Sequence, residues 1–394
     1  MGKDLMKKIK IHVPGFLCGG DEVGQIVRPG VVNSEFCELA TCSLLAPGTL
    51  INNKHVIKSL TSGKHVLRSD HPMVRSTVGH CGFLPGLQRH INADGGITFT
   101  NEHDDIDVIL LHGSMPVNFL KQYAELYEDI PIINLDYKDS IHKKEMFVEF
   151  EESPRVFNFK RSMVHFTRDE PPHIYKYPYT VHHTAYCVRE DIYTQQNKTF
   201  RSYNKRELDV ACFFPDRITP SNDAPKVALT RHKLMKYGNA ARKYIGHVVG
   251  TCGFKVHVGY TGSREECGTQ GRKGVNIEHH GSAQNQYCDI STNAKIIVTA
   301  CPPTCEGDYR LMEAMTSGAL VMHNKMILPP KGLLDGKHWI VYDNACDLQD
   351  KLNYYIEHSG EAEQIAAAGR DFVLNNHRPH HRVEEWLKIA KLLP

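Results

Sequence analysis

Short apolar runs alternating with helical patterns constrain this chain most. Ile106 to Gly113 reads as a buried strand with a glycine stop, and Ile130 to Asp136 as another. Between them Pro116 opens a helix over 117–128, with Phe119, Leu120, Tyr123, Ala124 and Tyr127 at helical spacing. Strand, helix and strand over about 30 residues make one right-handed parallel crossover. The pattern starts afresh at Leu208 to Phe214, stopped by Pro215. The chain is therefore expected to be α/β twice over, as two Rossmann-like domains facing across a cleft.

The expected division is an N-terminal domain over 1–200, a C-terminal domain over 201–378 and a terminal helix over 379–394 that packs back on the first. The first domain begins with a strand, Lys10 to Val13, and a glycine-rich loop from Cys18 to Gly24. Short strands are read at 56–60 and 65–68, then aromatic-bearing strands at 144–150 and 155–166. The proline-rich stretch 171–180 is an ordered loop. The polar, basic stretch from Gln195 to Arg206 reads as a linker. In the second domain we expect helices at 226–244, 284–292, 306–317, 346–358 and 361–375. Strands are expected at 255–260, 294–300, 319–322 and 340–342.

Composition removes several function classes. The 394 residues carry 47 basic and 45 acidic side chains, a net charge of +2, which gives no sign of a nucleic-acid partner. No apolar stretch approaches the roughly 20 residues that span a bilayer, and no signal peptide is read at the N-terminus. The 12 cysteines form no Cys-x-x-Cys pair, so free thiols in the cytoplasm are expected.

The stretch Cys305-Glu306-Gly307-Asp308-Tyr309-Arg310-Leu311-Met312-Glu313-Ala314-Met315-Thr316-Ser317-Gly318 carries the sharpest chemistry. It follows a strand and opens a helix. Gly307 lets backbone approach a ligand, Asp308 can cap the helix, and the helix N-terminus favours an anion. At about 100° per residue Arg310, Glu313 and Ser317 fall within roughly 60° of one another. They read as an exposed stripe opposite the core-facing Leu311, Met312 and Met315. A cation and a carboxylate beside an anion-binding helix end suit a nucleoside diphosphate: Arg310 for phosphates, Glu313 for ribose hydroxyls. An ordinary capped helix with an i,i+3 ion pair would read the same way.

This motif resembles the donor site of GT-B-fold glycosyltransferases, particularly the exostosin-like and related bacterial, algal and viral branch. Phe159-Lys160-Arg161-Ser162, Leu208 to Phe214, Gln286-Tyr287, Asp335 to Tyr342 and Ala366 to Arg370 fit the same family in order. The resemblance implies transfer of a sugar from a nucleotide-sugar donor to a glycan or glycoprotein acceptor, with no cofactor and no metal. It implies Gly307, Asp308, Tyr309, Arg310 and Glu313 as donor-binding residues. Glu306 and Glu313 are seven positions apart, 313 − 306 = 7, one short of the retaining pattern, so the stereochemical outcome stays open.

An inverting transfer needs a base for the acceptor hydroxyl. Asp21, in the glycine loop after the first strand, is the candidate by position; Asp136, Asp139 and His112 follow. Gly19 and Gly20 offer a phosphate cradle, and Lys160 and Arg161 read either as diphosphate partners or as surface charges. Asp105-x-Asp107 has the spacing of a metal-binding pair, but Asp107 enters a buried strand. A nucleotide-binding protein without catalysis and a nucleotide-sugar epimerase are the competing functions.

Overall fold

The computed structural model describes residues 9–12, 97–99, 105–112, 125, 127–136, 153–165, 171–177, 180–213, 242–258, 277–301, 305–307 and 309–393. The strands read at 56–60, 65–68 and 144–150 lie outside the described residues, as does nearly all of the helices read at 117–128 and 226–244.

The first sheet has the order β2-β1-β3-β4-β5-β8. Its strands are β1 (Ile9–His12), β2 (Ile97–Phe99), β3 (Val108–His112), β4 (Ile132–Asp136), β5 (Val156–Lys160) and β8 (Val181–His183). Every pairing in it is parallel. Parallel strands buried on both faces need continuous apolar side chains, and Val108, Ile109, Ile132, Ile133 and Leu135 supply them. The proline-rich stretch contributes a small hairpin, in which β6 (Val164–His165) pairs antiparallel with β7 (His173–Ile174).

The second sheet, also parallel, runs β10-β9-β11-β12-β13. Its strands are β9 (Leu208–Cys212), β10 (Val256–Val258), β11 (Ala294–Thr299), β12 (Leu320–Asn324) and β13 (Ile340–Tyr342). Successive side chains enter opposite faces, as the strand period requires. Val210, Cys212, Ile296 and Val298 fill one core with residues of helices α2 (Arg242–Thr251), α5 (Ala345–Glu357) and α6 (Ser359–Asn376). Ala211, Phe213 and Ile297 fill the other with Leu311, Met312 and Met315 of helix α4 (Tyr309–Thr316). Helices on both faces make a doubly wound unit.

One element joins the halves differently from the sequence reading, and the last helix joins them as that reading expects. The stretch read as a linker begins inside helix α1 (Glu190–Thr199), which is packed against helix α3 (Ile277–Asn293) and α4. Its fully buried Gln196 donates to the Glu313 carbonyl at 2.8 Å and accepts from Thr316 Oγ1 at 2.8 Å. A lone polar residue in a polar segment gives no hint of such a bond from sequence. Arg206 is also buried, donating to the carbonyls of Ala294 and Ser317. The last helix, α7 (Pro379–Ile389), sets Val383, Trp386 and Leu387 into the core of the first sheet.

Candidate active site

In open parallel sheets ligands collect outside the carboxyl ends of the strands, where the strand order reverses. In the second sheet that point lies between β9 and β11. The loop after β11 leads through Glu306 and Gly307 into α4. Gly307 takes a φ of +73°, a backbone conformation that a side chain would strain. It lines a small cavity whose other walls include Arg161, His183 and Tyr186 from the first sheet's side and Glu306, Met312 and Met326 from the second's. Arg161 follows β5 and His183 ends β8, so the carboxyl edges of both sheets meet at this cavity.

The polar groups around it are closely paired. Arg161 is 2% exposed and donates to the carbonyls of Glu306 and Gly307 at 3.0 and 3.2 Å. Lys160 is equally buried. The surface reading of both residues is therefore overturned: both are buried, and Arg161 reaches across to the loop of the second half. Glu306 accepts from the backbone amides of Ile327 and Leu328 at 2.7 and 2.9 Å, tying its loop to the one after β12. Burial raises the Glu306 carboxyl above its ordinary range, against the pull of those two amides. Burial and the cations Arg382 and Arg161 hold His183 down to about 4, so its imidazole is neutral at physiological pH.

Glu313 departs from its sequence reading. The stripe expected to face solvent is covered: Glu313 is 6% exposed and Ser317 fully buried. Helix α1 lies over it, a packing that the periodicity of α4 alone could not reveal. The carboxylate accepts from Arg189 Nη1 at 3.2 Å and from Tyr287 Oη at 2.9 Å. Burial and the adjacent carboxylate push the Tyr287 phenol well above its usual range. Tyr287 also packs edge-on against Phe213, which follows β9. Arg310 is partly buried, and its charge is felt at Tyr287. The structure thus gathers Gly307, Arg310 and Glu313 around one loop and one helix.

Asp308, Asp21, Gly19, Gly20 and Asp139 lie outside the described residues, and so does the side chain of Tyr309. Asp136 and His112 end β4 and β3 at the carboxyl edge of the first sheet. The Asp105–Asp107 pair has a structural job: Lys10 Nζ pairs with Asp105, and the Lys10 amide donates to Asp107 at 2.8 Å. Among the described residues no three His, Cys, Asp or Glu side chains gather as a metal ion would need. Sequence reasoning missed His183, Tyr186 and Arg189. Their only signal was position at the end of, or just after, a strand too short and polar to recognise.

The comparisons with known proteins bear on this same region. Residues 241–388, which build most of the second sheet and α4, match the family described as "Glycosyl transferase-like". The match covers 148 of the 394 residues (388 − 241 + 1 = 148), so the likeness to that family belongs to the second half of the chain. Two parallel sheets meeting at their carboxyl edges are the GT-B arrangement. Among solved structures, a glycosyltransferase from Rickettsia africae ESF-5 is 15% identical, with 98% of each chain covered and a TM-score of 0.47. HepE from Anabaena, in complex with UDP, is 12% identical over 98% of this chain and 100% of its own, with a TM-score of 0.41. No curated protein sequence matches the chain. Among the described residues no helix is long and apolar enough to cross a membrane.

Proposed function

We propose that this protein moves a sugar from a nucleoside-diphosphate donor to a hydroxyl of a glycan or glycoprotein acceptor, without a metal ion. One observation carries the reading: the glycosyltransferase-like segment contributes the loop and helix start that face the cavity between the two sheets. The donor's diphosphate lies at the N-terminal end of α4, where the helix macrodipole favours an anion. Gly307 leaves room for it, with Asp308 and Tyr309 beside it. Arg310 supplies the positive charge that a metal would otherwise bring, and Glu313 receives the ribose hydroxyls in place of its protein partners.

Transfer forms a bond from the acceptor oxygen to the anomeric carbon and breaks the bond from that carbon to the diphosphate. In an inverting transfer Asp21, following β1, takes the acceptor's proton. Closure of the two domains excludes water, because hydrolysis competes. The thiols of Cys252 and Cys346 are free, which suits a cytoplasmic setting.

The test is calorimetric titration with UDP, GDP, CDP, ADP and dTDP, followed by turnover of the matching nucleotide sugar with glycan acceptors. At 100 Kd a bound nucleotide would stabilise the fold by about 2.7 kcal/mol. Arg310→Lys should recover only part of the binding lost in Arg310→Ala, since the fork geometry is gone. Asp21→Asn should keep donor binding and lower turnover by about 10²–10⁴-fold. Binding without turnover on any acceptor would make this a nucleotide-binding protein. Conversion of the nucleotide sugar without an acceptor would make it an epimerase.

A further inference from the structure

We propose that Arg161 is a positioning residue for donor binding: delivered from the first domain, it holds the Glu306–Gly307 loop of the second in the shape that meets the donor's diphosphate. The inference rests on the donor site proposed above. It assigns Arg161 a role through the loop, in place of direct contact with phosphate.

The geometry is that of a clamp. A buried cation is costly unless hydrogen-bonded and paired. Arg161 meets that cost with two consecutive backbone carbonyls, those of Glu306 and Gly307. The ring of Tyr186 lies 4.5 Å from its guanidinium carbon. In a trans peptide the carbonyl and the amide point opposite ways, so fixing one aims the other. With the Glu306 carbonyl turned to Arg161, the Gly307 amide is turned away and donates to Cys301 Sγ at 3.2 Å.

The loop is therefore gripped on two sides. Cys301 and the amides of Ile327 and Leu328 belong to the second domain, whereas Arg161 and Tyr186 come from the first. A loop whose shape needs a partner across the cleft is complete only when the cleft is closed. Donor affinity is thereby tied to the apposition of the two sheets. Both bonds leave one nitrogen, Nη1, while the planar guanidinium lies over the Tyr186 ring, a stacking that the compact ammonium of a lysine does not reproduce.

Two measurements test this. The first is amide hydrogen exchange in the ligand-free protein. Arg161→Ala and Arg161→Lys should both exchange faster over 305–316 while β9, β12 and the thermal midpoint stay near the parent's. Tyr186→Leu, which removes only the ring, should loosen the same segment to a smaller degree. The second is calorimetry with the five nucleoside diphosphates. Both Arg161 variants should bind the preferred nucleotide about 10- to 100-fold more weakly, the range of a charge-assisted hydrogen bond.

Unchanged exchange over 305–316, or full binding in Arg161→Lys, overturns the proposal in favour of a plain electrostatic role. Loosening spread over both sheets overturns it in favour of a general structural one. Should the parent bind none of the five nucleotides, the donor-site reading fails, yet the exchange experiment still reports whether Arg161 holds the loop.

Discussion

Glu313 shows how much the surroundings of a side chain alter what its removal would do. Its carboxylate faces Arg189 and Tyr287 in a covered site. Glu313→Ala should therefore cost stability as well as nucleotide binding. Removing the acceptor of a partly buried cation and of a phenol costs about 1–3 kcal/mol, read as a lower urea midpoint. Glu313→Gln keeps an acceptor and should lose less. His377 gives a pH dependence. Its Nδ1 faces the Arg382 guanidinium and its Nε2 lies 3.1 Å from the Lys331 carbonyl, so the neutral tautomer carries its proton on Nε2. Burial, reinforced by Arg382, lowers its pKa from 6.5 to about 3. The unfolded chain then takes up a proton that the folded one refuses, and stability should fall as pH drops from about 6.5 towards 3. Above about 6.5 this contribution is level. Denaturation midpoints across that range should show a shallower acid loss in His377→Gln than in the parent.

At the scale of elements, α4 is fixed at both ends by residues distant in sequence. Its first turn follows the loop that Arg161 and Cys301 hold. At its last turn Arg370 donates to the Thr316 carbonyl at 3.0 Å and Arg206 to the Ser317 carbonyl at 2.7 Å, cations placed where the helix dipole favours them. The helix that carries Arg370 can come this close only because Gly369 has no side chain. A Cβ there would lie 2.1 Å from the His338 carbonyl oxygen. Gly369→Ala must push α6 away from the segment before β13. Overpacking of this kind costs about 1–3 kcal/mol, and the displaced Arg370 should weaken nucleotide binding too. Unchanged thermal midpoint and affinity would show that α6 yields without cost.

For the whole molecule, α7 is the tie that closes the chain on itself. It starts beside the second sheet's α6 and ends in the core of the first. Trp386 is 3% exposed and packs against Phe159, while its Nε1 approaches Thr184 Oγ1 at 3.4 Å. Arg382 donates to the Ala185 carbonyl at 3.0 Å. Trp386→Ala should cost about 3–5 kcal/mol, the usual range for emptying an aromatic site. The loss belongs to the first domain. Calorimetric unfolding should split into two transitions, with the second domain's midpoint little changed. A single transition moved as a whole would mean that both halves unfold as one unit.

The strands of the second half were legible in the sequence because burial on both faces demands unbroken Val, Ile and Leu, as in Ile296-Ile297-Val298. The loop-to-helix step at Gly307 was legible for a similar reason: glycine and a helix start are local requirements. The path of 181–199 was not. Val181 to His183 is too short and polar to register as a strand, and α1 is held by Gln196 and Arg189, whose partners stand more than 90 residues away. Local chemistry thus determined the parallel α/β layers and named Gly307, Arg310 and Glu313. Only tertiary packing decided that Glu313 is covered and that Arg161 crosses to the opposite domain. Periodicity reports which way a side chain leaves its own element, whereas burial depends on what another element brings to meet it.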